Sequence, residues 1–286
     1  MGQNVPASLP KLLEMKTIQQ KFYEVLGSNA ASFIASLLSM YNEDEKLRKC
    51  DPVSILAAAK QAAILQLPIM KQLGYAYVIP YYDGKSKKQV AQFQMGYKGF
   101  LQLAMRSGVF RNVNTVEIYE GEIKSRNKIT GEIELGERTS DTVVGYVAYM
   151  ELVNGFSKTL YMTRAEIEEH AQKYSQSYAY DLKSGSRTSI WSKNFDTMAK
   201  KTVLKKLLTT YAPTSIEMQN SALATALKAD QAVISKDSYQ YVDNGGNVVE
   251  RTDDIISQNS GEIIDAGTGE ILESGNENDR RNDEQG

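Results

Sequence analysis

The stretch from Lys183 to Tyr211 is the part of this sequence whose composition best suits a chemical role. It carries seven Lys and Arg residues against one acidic residue, Asp196, for a net charge of +6. Trp191 and Phe195 are interleaved with these cations. Basic groups hold phosphates and aromatic rings stack on bases, a combination typical of surfaces that bind single-stranded nucleic acid. The competing interpretation is that Trp191 and Phe195 pack in a hydrophobic core.

This stretch predicts one long helix from about Ile190 to Tyr211. Its apolar residues do not form a single stripe, because Trp191 and Phe195 lie on one side and Leu204 and Leu208 lie nearly opposite. An isolated amphipathic helix would bury one face only. We therefore expect this helix to bridge two layers of the fold or two subunits.

A second region, from Gln92 to Gly108, combines glycines, aromatic residues and cations. A helix from about Met95 places Lys98, Gln102 and Arg106 on one face. Two glycines at its start permit a close approach, and the free N–H groups of a helix start favour anions. An ordinary amphipathic helix with a solvated basic edge explains the same pattern.

Signatures of enzymes are weak. Gly84-Lys85-Ser86 imitates the end of a phosphate-binding loop, but that motif needs a glycine where Ile79 stands. The three residues also fall in a predicted hairpin turn, whereas the loop must open a helix. His170 and Cys50 are the only residues of their types and offer no metal-ligand spacing.

One short pattern leaves a nuclease open as an alternative. Glu122 and Lys124 match half of a metal-nuclease motif. Such a site needs a second carboxylate nearby to hold Mg²⁺, and Asp141 is the available candidate. Patterns this short also arise by chance.

Charge is distributed unevenly along the chain. Residues 1–230 carry 29 Lys and Arg against 22 Asp and Glu, a net of +7, and residues 231–286 carry 4 against 13, a net of −9. The basic body can meet a polyanion, whereas the acidic tail cannot do so directly.

The composition is that of a soluble globular protein, with 42% hydrophobic and 24% charged residues. No stretch of about 18 uncharged apolar residues exists, so we expect no spanning helix. The first residues lack the pattern of a signal peptide, and a single cysteine suits a reducing compartment. We expect a cytoplasmic protein that does not act at a membrane.

The order of elements predicts an α+β fold, with an antiparallel sheet of hairpins backed by helices. Asp83-Gly84 and Asn154-Gly155 are hairpin signals, and Thr163 to Glu166 is a capping box. Asp51 followed by a proline starts a helix. The Ser- and Tyr-rich stretch from 174 to 188 is predicted to be a loop, and a last helix is predicted from about 215 to 234.

Three parts follow from these patterns. Residues 1–50 form a helical N-terminal region that we expect to make subunit contacts. Residues 51–235 form an α+β core. Residues 236–286 form an acidic tail that we expect to be disordered and to bind partners.

Five blocks of sequence, in order, resemble the RecT family of phage recombinases, also called single-strand annealing proteins. They are YAYVIPY at 75–81, QFQMGYKG at 92–99, LAMRSG at 103–108, MTRAEI at 162–167 and IWSKNFDTMAKKTVLKKL at 190–207. The last block is the most specific, with the pattern W-x₄-D-x-M-x-x-K-T-V followed by a basic pair. The resemblance covers about residues 50–215.

The resemblance implies an ATP-independent protein that coats single-stranded DNA and anneals complementary strands through an annealed duplex intermediate, without a cofactor. It implies a homo-oligomeric ring or helical filament that acts beside a RecE-type 5′→3′ exonuclease and a host single-strand binding protein. It further implies an architecture similar to that of Red-beta proteins. The bacterial host cytoplasm is the expected location.

Within this resemblance we expect phosphate contacts from the basic residues of both regions, and stacking or groove support from three aromatic residues. The expected phosphate contacts are Lys98, Arg106, Arg187, Lys193, Lys200, Lys201, Lys205 and Lys206. The aromatic candidates are Tyr97, Trp191 and Phe195. Catalytic and metal-binding residues are not expected. The alternatives are a Mg²⁺-dependent nuclease and a DNA-coating scaffold without catalysis.

Overall fold

A computed structural model describes residues 8–84, 86–213 and 222–234, together with the backbone of four short strands at 238–241, 247–250, 263–264 and 271–272. Across these residues, no helix combines the length and apolarity needed to cross a bilayer.

Helices make up the N-terminal region, as its apolar spacing predicts. They are α1 (Leu9–Glu14), α2 (Lys16–Leu26) and α3 (Ala30–Glu43), with 3₁₀ turns at Gly27–Asn29 and Leu47–Lys49. Leu12, Ile18 and Leu37 are buried on their inner faces. Both α1 and α2 pack on the next helix, α4 (Pro52–Ile64), and their core residues belong to the same hydrophobic cluster as those of the rest of the chain.

The start of α4 carries the cap that the sequence predicts. The Asp51 carboxylate accepts a hydrogen bond from the Ser54 backbone N–H at 3.1 Å, and a proline occupies the first helical position. Ser54 then accepts a hydrogen bond from the Ala91 N–H at 2.8 Å, which ties the helix to a hairpin. The strands of this antiparallel hairpin are β1 (Ala76–Asp83) and β2 (Lys88–Met95).

Helix α5 (Tyr97–Arg106) follows the hairpin directly. A Cβ atom on Gly96 would lie 2.0 Å from the Gly74 carbonyl oxygen, and one on Gly99 would lie 2.2 Å from that of Tyr75. The Gly96 N–H donates to the Tyr75 carbonyl at 2.8 Å. The close approach that the glycines predict is therefore made by the chain's own backbone.

A three-stranded antiparallel sheet forms the second layer. Its strands are β3 (Phe110–Tyr119), β6 (Val143–Leu152) and β7 (Ser157–Thr163), in the order β3-β6-β7. A small hairpin of β4 (Ile123–Arg126) and β5 (Ile133–Leu135) follows β3. Tyr146, Ala148 and Met150 of the central strand are fully buried. The prediction of an antiparallel sheet built from hairpins is confirmed.

Helix α6 (Arg164–Tyr174) begins at the predicted capping box. The Glu166 N–H donates to the Thr163 hydroxyl at 3.1 Å, and the Glu166 carboxylate accepts from the Thr163 N–H at 2.8 Å.

The stretch from 174 to 188 is not the loop that its composition predicts, because most of it forms helix α7 (Gln176–Ser184). Ser175 caps its start by accepting from the Tyr178 N–H, and Gly185, at φ +69°, ends it. Tyr178 and Asp181 are buried. Tertiary packing thus overrides weak intrinsic helix propensity.

The predicted single helix from Ile190 to Tyr211 is two helices, α8 (Ile190–Lys193) and α9 (Phe195–Tyr211). The break lies at Asn194, whose φ of −139° and ψ of 55° are not helical. Phe195, Leu204 and Leu208 all lie after the break, so the absence of a single apolar stripe is a property of α9 itself. The prediction that the helix bridges layers within the fold is confirmed, since α9 packs on the sheet on one side and on α5 on another.

The last predicted helix is shorter than expected, at α10 (Ala222–Ala229), and residues 214–221 lie outside the described residues. The chain then pairs with the first hairpin: the Phe93 N–H donates to the Ala232 carbonyl, and the Gln231 N–H donates to the Phe93 carbonyl. Strand β8 (Val233–Ile234) follows.

The acidic tail is described only at its short strands. They are β9 (Ser238–Tyr241), β10 (Asn247–Glu250), β11 (Ile263–Ile264) and β12 (Ile271–Leu272). β9 pairs with β8 and β10, and β11 pairs with β12, all antiparallel. The rest of the predicted disordered tail lies outside the described residues. The mixed helical and antiparallel architecture confirms the α+β class.

Candidate functional site

One stripe of helix α9 is open to solvent, while its other faces are buried against the sheet, α5 and neighbouring elements. The stripe consists of a line of basic and hydroxyl side chains: Thr202, Lys205, Lys206, Thr209 and Thr210. Because residues three and four apart lie on one helix face, these side chains form a continuous floor.

Two walls turn this floor into a cleft of about 420 Å³, which we call the α9 cleft. His170, Ala171 and Tyr174 of α6 form one wall. Asp230 and Gln231, after α10, form the other. The volume falls within the range of small-ligand sites in proteins. The α9 cleft is therefore large enough for one unit of a polymer such as a nucleotide.

The electrostatic field in the α9 cleft is positive. Burial lowers the pKa of His170 below 6.5, and the charges of Lys206, Lys205 and Lys173 lower it further. Lys173 lines an adjoining hollow that shares His170 and Lys206 with the cleft. The lysine charges that disfavour a protonated histidine favour an anion at the same place, whereas burial favours neither charge.

A buried carboxylate anchors the cleft to the rest of the fold. Asp230 accepts hydrogen bonds from the Lys201 ammonium at 3.0 Å, the Lys205 ammonium at 2.7 Å and the Met95 N–H at 2.8 Å. Burial alone would raise the pKa of Asp230, but the two lysines outweigh it and hold that pKa below 3.8. Two cations on one carboxylate leave a net positive charge on this side of the cleft.

Four of the eleven predicted site residues line the α9 cleft: Trp191, Lys201, Lys205 and Lys206. Lys206 is exposed and Lys205 is partly exposed. Lys201 is only 4% exposed, and its ammonium group pairs with Asp230. This ion pair explains the burial of the charge without a contact to DNA. Lys205 and Lys206 thus reach the cleft surface, and the structure places Lys201 beneath it.

The two aromatic candidates of this region belong to a packed cluster. Trp191 is 6% exposed, and its ring centroid lies 6.0 Å from that of Tyr178 and 5.5 Å from that of Phe195. Phe195 is half-buried beneath the Arg164 guanidinium, 4.4 Å away. Their positions fit support of the cleft better than exposure of a ring to a base.

Two of the predicted phosphate contacts have protein partners away from the cleft. Lys200 lies on the sheet side of α9 and pairs with Glu117 at 2.7 Å. Arg106 donates to the Leu65 carbonyl at 3.0 Å and to the Gln66 side chain at 3.3 Å, at the end of α4. These contacts within the protein account for the positions of both side chains without a bound ligand.

The remaining candidates lie outside the lining of the α9 cleft. Lys98 is exposed and Tyr97 is half-buried at the start of α5. Arg187 is exposed in the connection between α7 and α8, and Lys193 is exposed at the end of α8. The structure therefore does not bring the two basic regions of the sequence into one cleft.

The connection that carries Arg187 is organised by a residue that the sequence analysis did not identify. Asp181 is 2% exposed. Its carboxylate accepts hydrogen bonds from four residues of this connection: Ser186, Thr188, Ser189 and Ser192. The Ser192 hydrogen bond, at 2.6 Å, contributes most to holding the pKa of Asp181 well below its usual value. This carboxylate fixes the turn from α7 into α8.

The residues of the nuclease alternative have structural partners. Glu122 accepts a hydrogen bond from the Tyr119 N–H at 2.8 Å, and Lys124 pairs with Glu134. Asp141 pairs with Arg138. In the described part of the chain, no three His, Cys, Asp or Glu side chains are grouped as metal ligands would be. Gly84 and Ser86 lie between β1 and β2 and do not open a helix, and Lys85 lies outside the described residues.

Sequence analysis considered His170 only as a possible metal ligand, and it did not single out Tyr174 or Asp230. The spacing of His170 and Tyr174 could have indicated that they act together, because residues four apart share a helix face. The pairing of Asp230 with Lys201 and Lys205 spans 29 and 25 residues and leaves no local signal.

Comparisons with known proteins agree with the resemblance. The model of the RecT family matches residues 31–244. The chain is 44% identical to the uncharacterized protein YqaK of Bacillus subtilis (strain 168) over 228 residues, which cover 77% of this chain and 75% of that protein. It is 29% identical to Protein RecT of Escherichia coli (strain K12) over 209 residues, which cover 69% of this chain and 74% of that protein. The chain therefore belongs to the RecT family, and this membership supports a role in recombination or strand annealing.

Proposed function

We propose that this protein binds single-stranded DNA in the α9 cleft and anneals complementary strands without ATP. The observation that carries the proposal is the open stripe of α9, with Lys205 and Lys206 on a floor of threonines and a positive field around His170. Family membership supports the same role.

The affinity would come from phosphates. Cations that neutralise phosphates release condensed counterions, a gain that does not depend on base sequence. Lys206, exposed at the lip of the cleft, and Lys205, partly exposed beside Asp230, are the phosphate-binding residues that we favour. The exposed cations Lys98, Arg187 and Lys193 lie outside the cleft lining, and we propose them as additional contacts of the strand with the surface.

Annealing would follow from ordering and charge neutralisation. Two DNA strands repel each other, and a basic surface reduces this repulsion. A strand held in an extended form has already lost the conformational freedom that pairing would otherwise remove. Watson–Crick pairing with the second strand then supplies the sequence specificity, so the protein need not read bases.

The wider assembly is part of the proposal. Homo-oligomeric rings or filaments would place successive clefts along one strand, with residues 1–50 as a source of subunit contacts. A RecE-type exonuclease would supply the single strands, and a host single-strand binding protein would be displaced from them, in the bacterial cytoplasm. The acidic tail from 236 onward would bind partners. The proposed architecture is similar to that of Red-beta proteins.

Two complementary labelled oligonucleotides test this function. The protein is mixed with one strand, without ATP, and the second strand is added afterwards. We expect pairing to be faster than without protein, and products of full length. Shortened products that require Mg²⁺ would favour the nuclease alternative. Binding without any acceleration would leave the scaffold alternative and would contradict the proposed annealing.

A further inference from the structure

Two aromatic rings stand side by side on the α6 wall of the α9 cleft. The ring centroids of His170 and Tyr174 lie 4.6 Å apart, with an angle of 48° between the planes. Their spacing of four residues places both on the face that borders the cleft, and both line it. They form a short aromatic ledge opposite Asp230 and Gln231, which we call the α6 ledge.

The outer ring of the α6 ledge is accessible. Tyr174 is 41% exposed, whereas Trp191, which also lines the cleft, is 6% exposed. A buried ring packs against protein, but an exposed ring at the edge of a cleft offers a face to a ligand. Tyr174 is thus the aromatic side chain at this cleft that is placed to contact a base.

Two lysines accompany the ledge. The Lys173 ammonium lies over the face of the Tyr174 ring, 5.1 Å from its centroid, so a base that stacks on that face would displace the ammonium. Lys206 lines the cleft together with both rings of the ledge. A nucleobase is flat and aromatic and carries its phosphate a few ångströms away, so an exposed ring with lysines nearby offers partners for both halves of one nucleotide.

We propose that the α6 ledge binds one nucleobase of the strand, stacked against Tyr174, while Lys206 and Lys173 hold the neighbouring phosphates. This inference rests on the proposed function and adds to it a contact to the base itself. Stacking accepts every base, since each has a π-face, so the site adds affinity without sequence preference.

The test compares two oligomers of equal length and charge: oligo(dT) and a chain of abasic units. Trp191, the only tryptophan, lines the cleft, so its fluorescence reports binding without a label. We expect wild-type protein to bind oligo(dT) about tenfold more tightly than the abasic oligomer. The variants are Tyr174→Phe, which keeps the aromatic ring, and Tyr174→Leu, which removes the ring but keeps a bulky apolar side chain.

We expect Tyr174→Phe to retain the preference for oligo(dT), and Tyr174→Leu to bind both oligomers with the affinity that wild-type protein has for the abasic one. The matched control is Tyr180→Leu, because Tyr180 is 65% exposed and does not line the cleft. It should behave as wild type. Thermal melting of each variant separates loss of the ring from loss of the fold.

Two results would overturn the inference, and they differ in what they leave standing. A Tyr174→Leu protein that melts like wild type and still prefers oligo(dT) would remove the ledge as a base site but leave phosphate binding in the cleft intact. Failure of wild-type protein to bind either oligomer would overturn the proposed function, and this inference with it.

Discussion

Lys201 and Asp230 form a buried ion pair, with 3.0 Å between the ammonium and the carboxylate, although 29 residues separate them in the chain. The same carboxylate holds the Met95 N–H at the end of β2. One interaction therefore joins α9, the first hairpin and the turn after α10. Asp196 accepts a hydrogen bond from Tyr146. Like Lys201, it belongs to the block at 190–207 that resembles the RecT family. Two charged residues of that block thus have partners within the fold.

Removal of Lys201 should destabilise the protein. Lys201→Ala leaves Asp230 buried with one partner fewer, and breaking a buried pair of this kind costs about 3–5 kcal/mol. Lys205 remains in contact with the carboxylate, so we expect the lower end of that range. Denaturant unfolding measures the change in free energy.

The control is Lys206→Ala on the same helix, because an exposed lysine contributes little to stability. It should change the free energy of unfolding by less than about 0.5 kcal/mol. Equal stability of the two variants would contradict a structural role for Lys201.

Removal of charge from the cleft should weaken DNA binding without regard to sequence. We expect Lys206→Ala to lower affinity for every oligonucleotide alike and to reduce the slope of log K against log salt by about one. Lys200→Ala is the matched control, since Lys200 pairs with Glu117 on the opposite side of the helix. If Lys200→Ala changed the salt slope and Lys206→Ala did not, the strand would not follow the α9 cleft.

DNA binding should be linked to protonation of His170. In the free protein, burial and the nearby lysines hold the pKa of His170 below 6.5. Bound phosphates would offset the charges of Lys206, Lys205 and Lys173 and so raise that pKa. Binding then takes up a proton, and affinity rises as pH falls through the pKa of the bound form, by at most about tenfold for each unit of the rise.

Affinity measured between about pH 8 and pH 5.5 checks this linkage. His170 is the only histidine, so His170→Gln removes the one side chain that ordinarily titrates in this range. We expect a weaker pH dependence in the variant. Identical curves for both proteins would place the bound phosphates away from His170.

Asp181 should control the order of the connection that carries Arg187. Asp181→Asn keeps the shape of the side chain but removes one of the two oxygens that accept from Ser186, Ser189 and Ser192. We expect a lower melting temperature and faster hydrogen exchange at residues 186–192. Asp141→Asn is the control, because the Asp141 side chain is 96% exposed. Unchanged exchange in Asp181→Asn would show that the turn holds without this carboxylate.

Acid should destabilise the Asp230 cluster. The folded-state pKa of Asp230 lies below 3.8, so the unfolded chain binds the proton more tightly. Stability from this cluster is therefore fully present above pH 3.8 and is lost as pH falls through the folded-state pKa. Unfolding curves of wild type and Asp230→Asn measure it, since the variant should lose the part of the acid dependence that Asp230 contributes.

Turn and capping residues predicted the hairpins and helix starts that depend on neighbouring residues in the sequence. Asp83-Gly84 and Asn154-Gly155 are turns of real hairpins, and the Thr163 capping box starts α6. Helix α7 escaped prediction because its Ser- and Tyr-rich sequence has weak propensity, and burial of Tyr178 stabilises it instead. Asn194 breaks the long helix by its backbone angles, which no periodicity indicates.

The candidate site was predicted only in part, because the exposure of a side chain depends on tertiary packing. Charge and composition identified Lys205 and Lys206, whose exposure depends on the helix face they occupy. They also identified Lys201, which the fold buries, since a lysine's burial depends on a distant partner such as Asp230. Sequence therefore identifies the basic helix, and only the packing around it separates lysines exposed at the cleft from lysines that hold the fold.

The central claim is that the α9 cleft binds the strand that is annealed, and annealing by charge-reversed proteins tests it most directly. One protein carries Lys206→Glu and Lys173→Glu at the cleft and its adjoining hollow. A control with the same change in net charge carries Lys88→Glu and Lys128→Glu, two exposed residues outside both the cleft lining and the N-terminal region. We predict that the cleft variant loses acceleration of annealing and the control keeps it. Equal annealing by both proteins would contradict the account.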